Sequence, residues 1–383
     1  MKPDEIIKIL EANYVSALEM SADATSRQIS NEIKSSVDVF IEKIDTDKSL
    51  VQVIITSLLK KLISPEQDIR LHMAKFENGY SARVLDTKVT SPFFKKYFPT
   101  YANKETAFLT KATRAEIIWN LTEGRKIPFR SKQLIEPFLN LMDKIQNLSF
   151  DLNDCLTYVL VRLHQLSQQH QTVFDDTLET ADFSDVLDIN GVLAMLVKHF
   201  DSKLSSRLPV IAIYSAYIQL FKTIKRYDGK ILRPLNVHTS ADKHGYGDIE
   251  IWNDDETPFE MVEIKHNIAI DRNLIFDVVK KTENTAVKRY YVLTTFKGSF
   301  LNELEEIYIN KLTLKIKKER DLEVIPNGII HSLKYYLRFI EDYQEFIKTY
   351  TEELIRDAKN STDVKNYHVE IWQAILKEYQ LEN

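Results

Sequence analysis

The sequence predicts a mainly helical α+β protein in which a short group of strands lies between helical regions. The chain has 383 residues but only 8 glycines and 10 prolines, and most apolar residues recur at three- and four-residue spacing, which is typical of helices. Between residues 232 and 295 the pattern changes to short alternating segments separated by turn-rich sequence, which indicates strands. At roughly 100–200 residues per domain, the length suggests two or three domains.

The changes of pattern divide the chain into three regions. We expect a mainly helical region over residues 1–205, a mixed core over 206–297 and a helical region over 298–383. In the core, residues 208–226 are predicted to form a buried helix, and Asp271 is predicted to be the N-cap of a later helix. Strands are predicted at residues 232–239, 247–252, 259–266 and 289–295. Further helices are predicted at residues 299–319, about 327–358 and about 363–380.

Composition restricts the environment of the protein. A single cysteine, Cys155, excludes a disulfide framework and a thiolate zinc site, because both need several sulfur atoms. The first residues show no signal-peptide pattern, and no stretch approaches the ~20 apolar residues of a membrane-spanning helix. We therefore expect a cytoplasmic protein without a membrane segment.

The net charge of −5 conceals an uneven distribution. Residues 75–132 contain 12 Lys and Arg against 5 Asp and Glu, whereas residues 136–188 contain 2 against 10. Cations interleaved with aromatic rings are typical of nucleic-acid-binding surfaces, and the alternative is a solvated basic face over an aromatic core. The aromatic residues of the basic stretch are Phe76, Tyr80, Phe93, Phe94, Tyr97, Phe98, Tyr101, Phe108, Trp119 and Phe129.

The stretch HGYGDIEIWNDDETPFEMVEIKHN carries the most chemical information. Because side chains alternate across a strand, Asp248 and Glu250 are expected on one face, and Glu263 and Lys265 also share a face. In the simplest hairpin Trp252 lies opposite Phe259, which places Asp248 opposite Glu263. Two facing carboxylates repel each other, and a divalent cation such as Mg²⁺ removes that penalty. A neighbouring ammonium can then orient the attacking water and stabilise charge at phosphorus.

An acid-x-Lys pattern alone carries little information, because it occurs seven times in this chain. Only Glu263/Lys265 lies in an alternating apolar strand and follows a Gly-Asp strand at a hairpin-compatible distance. The other six are Glu32/Lys34, Asp86/Lys88, Asp201/Lys203, Asp228/Lys230, Asp357/Lys359 and Asp363/Lys365.

Gly247-Asp248 followed by Glu263-Ile264-Lys265, with a helix before and a helix and strand after, resembles the core of PD-(D/E)xK nucleases. The size and helical additions are most similar to type II restriction endonucleases. The resemblance covers about residues 207–297, and Gly247 stands where the motif has proline. It implies a restriction-endonuclease-like αβββαβ core, a mixed sheet flanked by helices, between a DNA-embracing helical N-terminal region and a helical C-terminal extension.

The resemblance also implies a reaction, the Mg²⁺-dependent, sequence-specific hydrolysis of double-stranded DNA to 5′-phosphate and 3′-hydroxyl ends. Asp248, Glu263 and the Ile264 carbonyl would coordinate one or two Mg²⁺ ions, and Lys265 would position or activate the water. Glu250 would be a further ligand or a partner of Lys265, or else a solvent-facing strand residue. For Asp248, Glu263 and Lys265 the alternative is a surface ion-pair ladder.

Cutting both strands of a symmetric site generally needs two active sites, so a homodimer is expected, with a cognate DNA methyltransferase as its genetic partner. Base contacts are expected from the basic stretch or from residues 238–246, including His244. Two other functions stay open: a repair, recombination or mobile-element nuclease, and a non-catalytic helical DNA-binding or scaffolding protein. The expected phosphate-contacting residues are Lys95, Lys96, Lys111, Arg114, Arg125 and Arg130.

Overall fold

The computed structural model describes residues 2–22, 29–182, 187–235, 245–360 and 363–382. The chain divides into two compact units, Met1–Thr172 and Val173–Asn383. The predicted boundaries after residues 205 and 297 both fall inside the second unit. No helix in the described ranges has both the length and the apolar character needed to cross a bilayer.

The first unit is helical and is built around α3, whose residues Val53, Ile55 and Leu58 are completely buried. Five residues, Asp86–Thr90, form a π-helical turn between α4 and α5. The helices of this unit are α1 (Pro3–Ala22), α2 (Asn31–Ile41), α3 (Ile44–Ile63), α4 (Ala82–Leu85), α5 (Ser91–Tyr97), α6 (Lys111–Arg114), α7 (Ile135–Gln146) and the first part of α8 (Leu152–Thr180).

The aromatic residues of the basic stretch form core and not a stacking surface for bases. Their rings pack together, as where Trp119 meets Phe138 of α7 with ring centroids 5.1 Å apart. These rings therefore belong to the core, as the alternative expects, while DNA binding by the exposed cations of this stretch stays a prediction. Seven of the ten rings are buried: Phe93, Phe94, Phe98, Tyr101, Phe108, Trp119 and Phe129.

The π-helical turn surrounds a fully buried carboxylate, that of Asp86. It accepts hydrogen bonds from Gln52 Nε2 at 2.7 Å, Ser91 Oγ at 3.0 Å and the Ala107 N–H at 2.9 Å. The Thr106 hydroxyl also donates to it. Because these donors come from three separate segments, Asp86 ties α3, α5 and the loop before α6 together.

The second unit contains a five-stranded sheet with helices on both faces. Its helices after α8 are α9 (Ile189–Phe200), α10 (Leu208–Thr223), α11 (Arg272–Lys281), α12 (Glu303–Arg320), α13 (Ile329–Leu337), α14 (Tyr343–Asn360) and α15 (Asn366–Glu382). Its strands are β1 (Lys230–Leu232), β2 (Ile249–Asn253), β3 (Pro258–Lys265), β4 (Arg289–Thr294) and β5 (Glu323–Gly328).

The strands lie in chain order, β1-β2-β3-β4-β5. The pairs β1/β2 and β2/β3 are antiparallel, while β3/β4 and β4/β5 are parallel, so the sheet is mixed as predicted. From α10 to β4 the elements follow one another as helix, three strands, helix and strand. This arrangement confirms the mixed α+β class.

Two strand predictions are wrong. The strand expected at 232–239 is replaced by the earlier and shorter β1, and its residues 236–239 lie outside the described ranges. β5 was not predicted, and its last two residues were assigned to a helix starting near residue 327, whereas α13 starts at Ile329. Pro326, Asn327 and Gly328 are depleted in strands generally, and they are tolerated here because β5 is the last strand of the sheet.

The predicted β2/β3 register is confirmed for three pairs, among them Ile249 with Val262. At the turn it is wrong, because Trp252 lies opposite Pro258 and not Phe259. A β-bulge between Ile251 and Trp252 produces this one-residue shift.

Successive side chains of each strand point to opposite faces of the sheet, and each face has its own hydrophobic core. Ile251, Val262 and Ile264 pack with α10, α13 and α14 on one face of the sheet. On the other face, Met261 and Tyr290 pack with α11 and α12. The functional residues predicted in β3 share this second face, because Glu263 and Lys265 alternate in phase with Met261.

Candidate active site

The candidate site lies where β2 begins and β3 ends, since antiparallel pairing places these two strand ends side by side. Asp248 directly precedes β2, and Glu263, Ile264 and Lys265 are the last three residues of β3. The structure therefore brings together the catalytic residues that the sequence predicted.

A side-chain contact joins the two strand ends. The N–H of Ile264 donates to Asp248 Oδ2 at 2.7 Å. β2 starts only at Ile249. The Ile264 N–H of β3 is therefore bonded to the Asp248 side chain and not to a main-chain carbonyl of β2. The N–H and C=O of one strand residue point to the same side of the strand. The Ile264 carbonyl is therefore also directed towards the side of β3 on which Asp248 lies.

Gly247 stands at a position where a larger residue does not fit. A Cβ atom at this position would lie 2.8 Å from the main-chain oxygen of Val262, on the neighbouring strand. Any larger residue would push β2 away from β3. Glycine therefore permits the close approach that positions Asp248 against Ile264.

Glu263 is the centre of the site, and only 7% of its side chain is exposed. Its Oε1 accepts a hydrogen bond from Lys265 Nζ at 2.6 Å, and its Oε2 accepts one from Lys281 Nζ at 2.8 Å. The Tyr290 hydroxyl lies 3.2 Å from Oε2. Such burial excludes a surface ion-pair ladder for this residue.

The sequence prediction missed Lys281 and Tyr290. A signal for Lys281 exists, because it follows the buried residue Val278 by three positions and so lies on the inward face of α11. Tyr290 gave no such signal, since its neighbours depend on how β4 pairs with β3.

The two ammonium groups determine the charge state of Glu263. Burial alone would raise the pKa of Glu263, but Lys281 and Lys265 hold it below its ordinary value. Burial would likewise lower the pKa of Lys265, whereas the Glu263 carboxylate, with Asp248 and Asp277, raises it. At neutral pH, Glu263 is therefore ionised and Lys265 is a protonated donor. Burial and the Glu263 charge raise the pKa of Tyr290, which keeps its phenol neutral.

Lys281→Met is expected to destabilise the protein at pH 7 and to destabilise it less at pH 3. A carboxyl group with a lowered pKa contributes stability above its ordinary value, 4.5 for Glu263, and that contribution is lost as pH falls through the folded-state pKa. We expect a loss of about 1 kcal/mol at pH 7, since the Lys281 side chain is 42% exposed and its pairing is screened. Urea unfolding at both pH values measures the difference. Lys280→Met removes the same charge one residue away, and an equal gap between Lys281→Met and wild type at both pH values would contradict the pairing.

Glu250 does not contact Lys265. Its Oε1 accepts from the Tyr246 N–H at 2.6 Å, and its Oε2 accepts from Trp252 Nε1 at 3.0 Å, with Arg233 3.6 Å away. The side chain is 5% exposed, so the solvent-facing alternative is also excluded. Through these hydrogen bonds Glu250 fixes the main chain of residues 246–248, just before β2, and so helps to position Asp248.

The donor set of the site fits Mg²⁺. Among the residues that the structure describes, no three His, Cys, Asp or Glu side chains converge as metal ligands. Mg²⁺ commonly takes only one or two carboxylates and retains several waters. Asp248, Glu263 and the Ile264 carbonyl supply oxygen ligands of that kind. Both Glu263 oxygens are bonded to ammonium groups, so a metal ion held by Glu263 would replace at least one of these two contacts.

The cations predicted to contact DNA lie in the first unit and are all exposed. Lys111 and Arg130 line one cleft of about 470 Å³. Lys96 pairs with Glu11 at 3.0 Å. Arg125 also forms an ion pair, with Glu136 at 2.7 Å, while Lys95 and Arg114 are exposed on α5 and α6. His244 lies outside the described residues.

A second basic cleft, of about 430 Å³, lies at the opposite end of the sheet, where β3 and β4 begin. Its cations are already paired: Arg226 with Glu260 at 2.7 Å and Arg289 with Glu323 at 3.2 Å. The local positive charge is largely compensated, so this cleft is a weaker candidate than the Asp248–Lys265 site.

No protein-family model matches the sequence, and no curated protein is significantly similar to it. The function is therefore argued from the geometry of the site.

Proposed function

We propose that this protein is a Mg²⁺-dependent endonuclease of the PD-(D/E)xK type, acting as a type II restriction endonuclease on double-stranded DNA. The observation that carries the proposal is the joining of Asp248 to the Glu263-Ile264-Lys265 segment through the 2.7 Å bond from the Ile264 N–H. The order of helix, three strands, helix and strand from α10 to β4 supports it, since it is the order that the resemblance implies.

In this proposal Asp248, Glu263 and the Ile264 carbonyl would hold Mg²⁺, which would supply Lewis-acid activation of the phosphate and of the attacking water. Lys265 acts as a protonated donor, because its pKa is raised. It orients the water and stabilises the charge that develops on the phosphoryl oxygens. Water attacks phosphorus and releases a proton to solvent, the bond to the 3′-oxygen breaks, and that oxygen takes up a proton from solvent.

Lys281 adds a second positive charge at Glu263 and thereby keeps the carboxylate ionised. The proposed DNA contacts come from the basic stretch 75–132, in which Lys111 and Arg130 share a cleft. We propose double-stranded DNA as the partner and a DNA methyltransferase gene as the genetic neighbour. The proposed location is the cytoplasm.

Incubation of the purified protein with mixed-sequence plasmid DNA tests the function. We expect discrete fragments with Mg²⁺ and none with EDTA, because the site has only two carboxylates and needs the metal to bind phosphate. Run-off sequencing gives the cut site, and ligation without prior phosphorylation confirms 5′-phosphate ends. A smear, or preference for branched DNA, would indicate a repair or recombination nuclease. Intact DNA in every condition would overturn the nuclease proposal.

A further inference from the structure

Helix α12 has two apolar faces, and the described structure covers only one of them. Ile309 and Ile316 are buried against the sheet, with Leu312 beside them. On the outer face, 78% of Leu304 and 55% of Leu314 are exposed. A helix that is apolar on two faces is typically buried on both. We infer that the outer face of α12 binds the same face of a second copy of this chain.

The outer face has the spacing of a helix–helix seam. Leu304, Ile307, Lys311, Leu314 and Lys318 follow one another at alternating steps of three and four residues. This is the a/d pattern of helices that pack side by side, and a lysine within such a seam fixes register at some cost in stability. Leu304, Ile307 and Leu314 therefore form an exposed apolar stripe on one side of the helix, with Lys311 within it.

Charge identifies the occupant as a second copy in antiparallel orientation. Glu305 already pairs with Arg272, and Lys317 already pairs with Asp321. The charges left for a partner are Glu303 and Glu306 in the first turn of α12, and Lys318 and Arg320 near its end. Two antiparallel copies place each acidic end beside a basic end, whereas parallel copies would place like charges together. Such a pairing has the two-fold symmetry of most homodimers. The opposed helix dipoles favour it as well.

Apolar residues next to the stripe enlarge the surface. Tyr308 lies beneath the Arg272 guanidinium, 4.1 Å from ring centroid to Cζ, which joins α12 to α11. Phe276 follows Arg272 by one helical turn and is 47% exposed. Leu301, just before α12, is 65% exposed. The exposed apolar patch thus extends over both α11 and α12.

The interface does not depend on the proposed nuclease activity. If the protein is a nuclease, each homodimer contains two active sites, one for each strand of a DNA duplex.

Light scattering coupled to size-exclusion chromatography tests the interface. We expect a dimer at about 50 µM chain and a monomer for Leu304→Glu/Leu314→Glu, because two charges would be buried in the seam. Val197→Glu, at another partly exposed apolar position of the same unit, should remain a dimer. A monomeric wild type, or a dimer that survives the double substitution, would overturn the inference.

Exchanging the charges tests the orientation. Glu303→Lys/Glu306→Lys should be monomeric, and so should Lys315→Glu/Lys318→Glu, since each places like charges together in an antiparallel pair. An equimolar mixture should form a heterodimer, because a helix with two basic ends attracts one with two acidic ends in either orientation. The separate variants decide the orientation, and a dimer that survives in either of them would contradict the antiparallel pair. Circular dichroism checks that both variants are folded. Failure of the folded variants to associate on mixing would overturn the antiparallel arrangement.

Discussion

Lys265→Met is expected to slow DNA cleavage by about 10²–10³-fold, as removal of one preorganised charge donor typically does. The Lys265 ammonium lies 2.6 Å from Glu263 on the strand end that faces Asp248. Methionine preserves the length of the side chain but neither orients the water nor stabilises charge at phosphorus. Lys281 still pairs with Glu263 in the variant, so the fold is expected to persist. Single-turnover cleavage rates with saturating enzyme measure the effect.

Lys230→Met is the matched control. Asp228-x-Lys230 repeats the acid-x-Lys spacing in the same unit, but Lys230 lies in β1 and packs over the Phe259 ring, 4.9 Å from its centroid. We expect this variant to cleave at close to the wild-type rate. Wild-type cleavage by Lys265→Met, with Mg²⁺ dependence intact, would show that the catalytic group lies elsewhere.

Asp86→Ala is expected to lower the free energy of unfolding by about 3–5 kcal/mol, because buried donors that lose their acceptor each cost about 1–3 kcal/mol. The Ala107 N–H has a fixed direction and cannot turn to another acceptor as hydroxyls do, whereas the Gln52 amide keeps its bond to Ser91 Oγ at 2.7 Å. Removing the carboxylate also leaves a small cavity beside the π-helical turn. Urea unfolding followed by circular dichroism measures the loss.

Asp86→Asn keeps the shape of the side chain and should cost less, about 1–3 kcal/mol, since only one oxygen becomes a donor. Glu105→Ala, at the exposed neighbour of Thr106, should stay within about 0.5 kcal/mol of wild type. If Asp86→Ala were no more costly than Glu105→Ala, the Asp86 network would not stabilise the first unit.

The sequence was informative wherever structure follows from local periodicity. The two-residue repeat of β3 predicted the face that Glu263 and Lys265 share, and alternation also predicted most of the β2/β3 register. The bulge next to Trp252 was not predictable in this way, because it depends on the geometry of the turn. β5 was missed for a related reason: its Pro326 is acceptable only in a strand at the margin of a sheet, and that position is a tertiary property.

The part of the candidate site that lies in one hairpin was predictable from the sequence, and the part contributed by other elements was not. Asp248 and Glu263 lie in one hairpin, so strand alternation and turn length were enough to bring them together. Lys281 and Tyr290 reach Glu263 only through the parallel pairing of β4 with β3 and the packing of α11 on the sheet. The aromatic residues of the basic stretch failed as a binding signal for a similar reason. Spacing alone does not distinguish a ring that faces solvent from one in the core, such as Trp119.

The two outermost strands limit how copies of this protein can associate. β1 has only three residues, and β5 carries Pro326, which removes one main-chain donor. Within the described residues, neither offers the long and regular edge on which a strand from another molecule could extend the sheet. Continuous intermolecular sheets, and the fibrillar aggregation that follows from them, are therefore disfavoured. Ordered self-association is left to side-chain surfaces such as the outer face of α12, where complementarity can stop growth at two copies.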